Sequence, residues 1–163
     1  MKVCKDYIEE NLRKGFITHS TSPYTLLVLF VKKPGGGIRF CVNYRKLNAL
    51  TKKDRYPLPL VKEVLAKLVG IKYFTKLDII YAFNRVRFAI LKDKDLTSFC
   101  IYLGSFKYRV LPFGLYNSPS VFQYFINETL GEYLNACIAV YIDDCLIYSR
   151  TRKEYIEYVC GVI

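Results

Sequence analysis

The sequence is poor in the side chains that most often build zinc sites. It has one histidine, His19, which lies in a polar Thr-His-Ser-Thr segment and is expected at the surface. Six cysteines, at positions 4, 41, 100, 137, 145 and 160, form no Cys-x-x-Cys pair. Because zinc needs clustered cysteine or histidine ligands, this scatter argues against a zinc site. Most of these cysteines lie in apolar runs, which predicts small core residues in a reducing compartment.

Long hydrophobic runs are also missing. Residues 26–31 are the longest uniformly apolar stretch in the first half of the chain, whereas crossing a bilayer takes roughly 18 residues. Residues 1–13 are charged and amphipathic, without the apolar core of a signal peptide. We therefore predict no membrane partner and an intracellular location, either in cytoplasmic particles or in the nucleus.

Acidic residues are outnumbered by basic ones. Lys and Arg total 25 against 14 Asp and Glu, which gives a formal net charge of +11. A positive field of this size favours a polyanionic partner, with nucleic acid before an anionic membrane; ordinary solubility is the alternative explanation. A hydrophobic content of 52% is ample for the core of one domain or of a two-lobed unit.

Two adjacent carboxylates, Asp143 and Asp144, separate the apolar runs at residues 137–140 and 145–148. Each run has the length and the β-branched and aromatic content of a strand, so the pattern predicts a hairpin with both acids at its tip. A solvated turn is the simpler explanation, since Asp is common in turns. The other explanation is a divalent-metal site, because Mg2+ prefers oxygen ligands.

A third carboxylate, Asp78, favours the metal site. It closes a predicted strand at residues 73–77, and the run that follows it, 79–83, has no charged residue. A carboxylate in such a place is costly to bury unless it is paired or bound to metal. Three acids at strand ends are the minimal ligand set for two-metal phosphoryl transfer.

Hydrophobic periodicity predicts the remaining elements, and together they indicate an α+β fold. Helices are expected at residues 4–14, after the prolines at 57 and 59, and after Ser118, with the apolar stripe of the second helix in the core. Strands are expected at 26–33 and 38–44, joined by a glycine-rich turn, and at 86–90, 99–103 and 106–110. A short helical segment is expected from Arg152.

The glycine-rich turn at residues 34–37 leaves Lys32, Lys33 and Arg39 near the tip of the predicted hairpin. Charged residues often protect the edge of a sheet from pairing with another chain, which is one explanation for them. The other is a mobile clamp whose cations reach a phosphate group.

Six segments occur in the order and spacing found in reverse transcriptases, and the chain resembles those of gypsy-type LTR retrotransposon polyproteins. The resemblance runs from about residue 4 to about residue 158. The segments are Val31-Lys32-Lys33-Pro34-Gly35, Val42-Asn43-Tyr44-Arg45-Lys46-Leu47-Asn48, Arg55-Tyr56-Pro57-Leu58-Pro59, Phe74-Thr75-Lys76-Leu77-Asp78, Leu111-Pro112-Phe113-Gly114-Leu115 and Tyr141-Ile142-Asp143-Asp144.

The resemblance implies an α+β polymerase palm, an antiparallel sheet with helices on one face, together with fingers and without a thumb. Residues 1–163 would form one unit, with fingers at about 1–53 and 86–117 and palm at about 54–85 and 118–163. Asp78, Asp143 and Asp144 would be catalytic and would bind two Mg2+ ions, for which Mn2+ could substitute. Tyr141 and Ile142 would support the hairpin.

The resemblance also implies the partners, namely an RNA or DNA template with its primer, and dNTPs. The primer 3′-hydroxyl would attack the α-phosphate of the dNTP, and Arg45 and Asn48 would lie beside the template. Thumb, RNase H and integrase segments would belong to the rest of a polyprotein. The residues implied in dNTP binding are Lys32, Lys33, Arg39, Ala82, Phe83, Phe113 and Gly114.

Two functions stay open at this point. One is the RNA-directed DNA polymerase of a retrotransposon. The other is a truncated, catalytically inert remnant that binds nucleic acid weakly and without sequence preference. The intact carboxylates favour the enzyme, whereas the bulky Tyr81, at a position that is normally polar or small in the family, favours the remnant.

Overall fold

The computed structural model describes residues 2–32, 34–88, 94–134 and 136–163. These residues form α-helices and antiparallel sheets, which confirms the predicted α+β class. In chain order the elements are α1 (Lys2–Arg13), β1 (Ile17–His19), β2 (Val28–Lys32), β3 (Ile38–Val42), α2 (Arg45–Leu50), α3 (Val61–Lys67), β4 (Tyr73–Asp78), a 3-10 helix (Ala82–Arg85), β5 (Phe99–Ile101), β6 (Gly104–Tyr108), α4 (Ser118–Thr129), β7 (Ile138–Tyr141), β8 (Asp144–Ser149) and α5 (Arg152–Val162).

The chain divides into two compact units. Unit 1 comprises Met1–Lys53 and Phe83–Ser118, and unit 2 comprises Asp54–Ala82 and Pro119–Ile163. Unit 1 contains a three-stranded sheet in the order β1-β6-β5 and the two-stranded hairpin of β2 and β3. Unit 2 contains a three-stranded sheet in the order β4-β8-β7.

The core of unit 1 forms where α1 and the three-stranded sheet bury their apolar residues. Gly15 follows the end of α1, and its φ of +70° suits glycine just after a helix C-terminus. Along β6 the alternation is regular, so Phe106 and Tyr108 are buried while the basic side chains between and after them are not. The buried cluster consists of Ile8, Ile17, Phe99, Phe106 and Tyr108.

The core of unit 2 lies on α4, β7 and β8. The strands predicted on either side of the two adjacent acids are present, and β4 ends at Asp78 as predicted. α5 is preceded by Thr151, whose side-chain oxygen accepts a hydrogen bond from the backbone N–H of Glu154 at 3.3 Å, a typical N-cap. The buried apolar residues are Phe122, Ile126, Cys137, Ile138, Val140, Cys145, Ile147 and Tyr148.

The prediction that the helix after the two prolines contributes an apolar stripe to the core is wrong. α3 has only two turns, and none of its residues is buried. Val64 is half-buried and lines a cavity of about 110 Å3 with Leu134 and Ile138, but Val61 and Leu65 are 59% and 58% exposed. A helix this short brings one edge to its neighbours and leaves the other apolar positions at the surface.

Three of the six cysteines are buried in the core, and the other three are half-buried or exposed. Cys4, Cys137 and Cys145 are buried, whereas Cys100 and Cys160 are exposed, and none of the six is in a disulfide. The strand predicted at residues 86–90 lies partly outside the described residues. Within the described ranges, no helix has the combination of length and apolar character that a membrane span requires.

Candidate active site

Strand pairing brings the three predicted metal ligands to one end of the sheet in unit 2. Asp78 is the last residue of β4 and Asp144 is the first residue of β8, and the two are partners in the antiparallel register. Such partners have Cα atoms about 4.5–5.5 Å apart. Asp143 lies in the turn that precedes β8, and its backbone carbonyl accepts a hydrogen bond from the N–H of Ile79 at 3.1 Å.

A lysine stands beside these carboxylates. The Nζ atom of Lys76 lies 2.9 Å from Oδ1 of Asp144, and the two side chains are 65% and 53% exposed. The pKa of Lys76 is raised, first by its hydrogen bond to Asp144 and the charge of that residue, and then by the charges of Asp78 and Asp143. All three carboxylates therefore act on the same ammonium group.

The donor atoms suit a hard divalent cation, since three carboxylates at paired strand ends supply the oxygen ligands that Mg2+ prefers. Across the part of the chain that the structure describes, however, no three His, Cys, Asp or Glu side chains are grouped so that they could hold an ion. The carboxylate of Asp144 instead contacts Lys76. The backbone thus places the ligands together, and the side-chain arrangement is that of an ion pair.

The turn between β7 and β8 holds an unusual backbone conformation. Tyr141 pairs with Asp144, which leaves Ile142 and Asp143 as a two-residue hairpin loop. Ile142 has a φ of +55°, and Asp143 does not have a positive φ; this is the φ pattern of a type II′ turn, which matches the twist of a hairpin. A positive φ is rare for a β-branched residue, so the surrounding contacts must hold it.

Gln123, on α4, provides one of those contacts, and it is not among the residues predicted from the sequence. Its side chain is fully buried, and its Oε1 atom accepts a hydrogen bond from the N–H of Ile142 at 2.9 Å. Its Nε2 atom donates to Oδ1 of Asn127 at 2.9 Å, and Nδ2 of Asn127 donates to the hydroxyl of Tyr56 at 2.8 Å. A chain of hydrogen bonds therefore runs from Tyr56 to the turn that carries Asp143.

The cations predicted to bind the triphosphate lie on the β2–β3 hairpin of unit 1. The register pairs Lys32 with Ile38 and Val31 with Arg39. Because successive residues of a strand point to opposite faces, Lys32 and Arg39 project from opposite faces of the hairpin. Both are exposed, and the structure does not bring them together. Lys33 lies outside the described residues.

The two aromatic residues predicted to bind the dNTP are in contact. The rings of Phe83 and Phe113 have centroids 6.1 Å apart and an interplanar angle of 61°, an edge-to-face arrangement. Phe83 is half-buried, whereas Phe113 is 68% exposed. Ala82 is buried at the start of the 3-10 helix, and its N–H donates to the carbonyl of Ile79 at 3.1 Å.

The segment around Gly114 is shaped by Asn48. Nδ2 of Asn48 donates to the Gly114 carbonyl at 2.8 Å, and its Oδ1 accepts from the N–H of Tyr116 at 2.8 Å. Gly114 has a φ of +103°, and a Cβ at this position would lie 3.4 Å from Cδ2 of Tyr44. The conformation favours glycine here, whereas the Cβ itself would be in ordinary van der Waals contact with the Tyr44 ring. Arg45, the other residue predicted to lie beside the template, is exposed at the start of α2.

Comparison with known proteins identifies the family. The family described as "Reverse transcriptase (RNA-dependent DNA polymerase)" matches residues 31–162. The chain therefore belongs to the reverse transcriptase family.

Retrotransposon polyproteins are among its curated relatives. The Transposon Tf2-3 and Tf2-7 polyproteins of Schizosaccharomyces pombe are 38% and 37% identical to it over 164 residues. These alignments cover 100% of this chain and 12% of each polyprotein. The chain thus spans about an eighth of the length of the relatives that it matches.

Solved reverse transcriptase structures share its fold. The foamy viral protease-reverse transcriptase in complex with an RNA/DNA hybrid superposes with a TM-score of 0.88 at 23% identity, over 99% of this chain and 21% of the viral chain. A mutant of the prototype foamy virus enzyme gives a TM-score of 0.81 at 28% identity, over 95% of this chain and 20% of the viral one.

Proposed function

We propose that this chain is the fingers and palm of an RNA-directed DNA polymerase from an LTR retrotransposon, with unit 1 as fingers and unit 2 as palm. The observation that carries the proposal is the register of β4 with β8, which sets Asp78 opposite Asp144 and leaves Asp143 in the adjoining turn. Membership of the reverse transcriptase family supports the same reaction class.

In this proposal Asp78, Asp143 and Asp144 hold two Mg2+ ions, or Mn2+ in their place. When bound, such ions would activate the primer 3′-hydroxyl and neutralise charge on the leaving oxygen. The protein contributes by fixing where the carboxylates stand. Strand pairing positions Asp78 and Asp144, and Gln123 anchors the turn that carries Asp143 through the Ile142 N–H.

Several side chains of unit 1, exposed or half-buried, are proposed to contact the nucleotide. The edge-to-face rings of Phe83 and Phe113 offer an apolar wall for the sugar, and Gly114 lets a base or sugar approach the backbone closely. Arg39, with Lys33 or Lys32, would bind the triphosphate, for which a guanidinium is suited by its planar set of donors. Asn48 would act on the template by holding the Gly114 segment in place.

A primer–template duplex is the proposed partner. The net charge of +11 favours a polyanion. Related viral enzymes of this fold have been solved in complex with an RNA/DNA hybrid and with double-stranded DNA. We propose the same kind of ligand for this chain, with dNTPs as its second substrate.

The test is single-turnover addition of one nucleotide, with the 163-residue chain in excess over an RNA-templated DNA primer, Mg2+ and the matched dNTP. The unaltered chain should extend the primer only with metal and template present. Asp143→Asn should reduce the rate at least about 100-fold, because it removes a metal ligand. Asp6→Asn, an exposed change on α1, is the matched control and should leave the rate unchanged.

Duplex binding without any nucleotide addition would favour the second candidate, an inert remnant. The observation that favours this candidate is the bulky side chain of Tyr81, which is 50% exposed. Tyr81 directly precedes Ala82 in the segment proposed to face the triphosphate, where a ring of this size would crowd the backbone amides.

A further inference from the structure

Lys76 shares one face of β4 with a catalytic carboxylate. Exposure alternates along this strand, so Phe74, Lys76 and Asp78 are exposed and the residues between them are half-buried. The register places Asp78 opposite Asp144 and Lys76 opposite Leu146. Lys76 therefore lies two residues along β4 from Asp78 and on the same face as the Asp78–Asp144 pair, within reach of both carboxylates.

The contact between Lys76 and Asp144 is electrostatic and reversible. The Nζ–Oδ1 distance of 2.9 Å is that of a charge-assisted hydrogen bond. Both side chains are more than half exposed, so water reaches both charged groups. An exposed pair of this kind is weak and leaves the long lysine side chain free to withdraw into water.

We propose that Lys76 is a positioning residue that competes with the divalent cation for the Asp144 carboxylate. It holds the Asp144 carboxylate in an ion pair, and it releases that carboxylate when a metal ion binds. Lys76 thereby sets the metal concentration at which Asp78, Asp143 and Asp144 act together. The inference rests on the proposed function, since it concerns the ion that this function requires.

The competition has a measurable consequence for metal affinity. Neutralising Lys76 removes the competing cation and leaves every carboxylate in place, so the site should bind a divalent ion more tightly. The expected gain for Lys76→Gln is about threefold to fivefold, which corresponds to the loss of one exposed ion pair. Lys76→Arg keeps the cation and should behave like the unaltered chain.

Lys72 offers a matched control. It is exposed and lies one residue before β4, where it continues the alternation of exposed and half-buried residues that includes Lys76. Four residues of strand separate their Cα atoms by about 13 Å, which exceeds the Debye length of about 10 Å at 0.1 M salt. Lys72→Gln therefore makes the same change in net charge while leaving the Asp144 contact intact.

The experiment is Mn2+ titration of the 163-residue chain, followed by electron paramagnetic resonance of the free ion, for the unaltered chain and the Gln and Arg variants. Thermal denaturation without metal verifies that each variant is folded. The inference predicts tighter Mn2+ binding in Lys76→Gln alone. In an Asp144→Asn background, Lys76→Gln should no longer alter the affinity, because the contested carboxylate is absent.

Several results would overturn the inference while leaving the proposed function intact. These are equal affinity in the unaltered chain and Lys76→Gln, weaker binding in Lys76→Gln, and an equal gain in Lys72→Gln, which would reveal a general charge effect. Failure of every variant to bind Mn2+ at millimolar concentration would overturn the inference and the proposed metal site together.

Discussion

Phe83 is the side chain on which sugar selection should depend. Its half-buried ring meets Phe113 edge-to-face, and Phe83 follows Asp78 by five residues along the chain. In a polymerase that includes the rest of the polyprotein, Phe83→Val should open space for a ribose 2′-hydroxyl without altering any carboxylate. Incorporation of rNTPs relative to dNTPs should then rise about 10-fold or more, if steric overlap costs at least about 1.4 kcal/mol in the transition state.

The measurement is single-nucleotide primer extension with matched rNTP and dNTP. Phe125→Val, the same change at a residue of α4 that is 38% exposed, serves as the control and should leave the preference unchanged. An unchanged preference in an active Phe83→Val enzyme would mean that Phe83 is a core aromatic and that the sugar is sensed elsewhere.

Tyr44 carries a hydroxyl that costs stability. This oxygen is buried, and it has no hydrogen-bond partner among the described residues, whereas the hydroxyl groups of Tyr7 and Tyr108 bond to each other at 2.8 Å. Tyr44→Phe should therefore raise the free energy of unfolding by about 1 kcal/mol, because it removes an unsatisfied polar group. Tyr108→Phe should lower it by about 1 kcal/mol. Urea denaturation at neutral pH compares the two variants. A lower free energy of unfolding in Tyr44→Phe than in the unaltered chain would contradict the prediction.

The same tyrosines predict how stability depends on alkaline pH. Burial raises the pKa of Tyr44 and of Tyr108 well above the ordinary value of 10.0. Above about pH 10 the unfolded chain releases these protons while the folded chain keeps them. These two groups therefore leave the free energy of unfolding unchanged with pH below about pH 10, and they lower it as the pH rises through the folded-state pKa values. The urea midpoint of the unaltered chain should therefore fall as the pH rises above 10, and that of Tyr44→Phe should fall less steeply. Equal slopes of midpoint against pH in the two proteins would contradict this prediction.

The hairpin of β7 and β8 depends on a neighbouring helix for its turn. Gln123→Leu would leave the Ile142 N–H without its acceptor and should cost about 1–3 kcal/mol of unfolding free energy. The Ile142 amide should also exchange its hydrogen faster. Hydrogen exchange followed by NMR measures this, with Glu128→Leu, an exposed change on the same helix, as control. Equal exchange rates in both variants would mean that the strands alone hold the turn.

Local patterns were enough to predict the elements that carry the carboxylates. β4 alternates with a period of two, and the apolar runs around Asp143 and Asp144 are short and bounded, so neighbouring residues are enough to predict both. The prediction for the apolar stripe of α3 is wrong because periodicity shows which residues share a face and says nothing about what covers that face. Val61 and Leu65 have the right spacing and lie at the surface.

The missed details are those that depend on register and on partners distant in sequence. Lys32 and Arg39 flank the same turn, but only the pairing of Val31 with Arg39 reveals that they face opposite ways. Gln123 had a usable signal, since it follows the apolar Phe122 and stands three residues before the apolar Ile126. An amide on a buried face is costly unless it is bonded, so its presence there indicates a partner.

The overall charge should govern how the chain binds nucleic acid. With a net charge of +11, affinity for a primer–template duplex should be mostly phosphate-driven and nearly independent of sequence. Four phosphate contacts would weaken binding about 100-fold between 50 and 200 mM salt. Fluorescence anisotropy at several salt concentrations measures the slope of log affinity against log salt concentration. Arg45→Gln should reduce the slope by about one, whereas Lys5→Gln, whose ammonium pairs with Glu9, should not. Affinity that is flat in salt would contradict the prediction.

The pairing of Asp78 with Asp144 also determines where the gene can gain or lose codons. One extra residue within β8 would turn every later side chain of that strand to the opposite face, so the apolar positions at Cys145 and Ile147 would meet water. An extra residue among the glycines at 35–37 would change only an exposed loop. Insertions and deletions should therefore accumulate in copies of this element at the glycine loop, whereas β4 and the hairpin of β7 and β8 should vary by substitution alone.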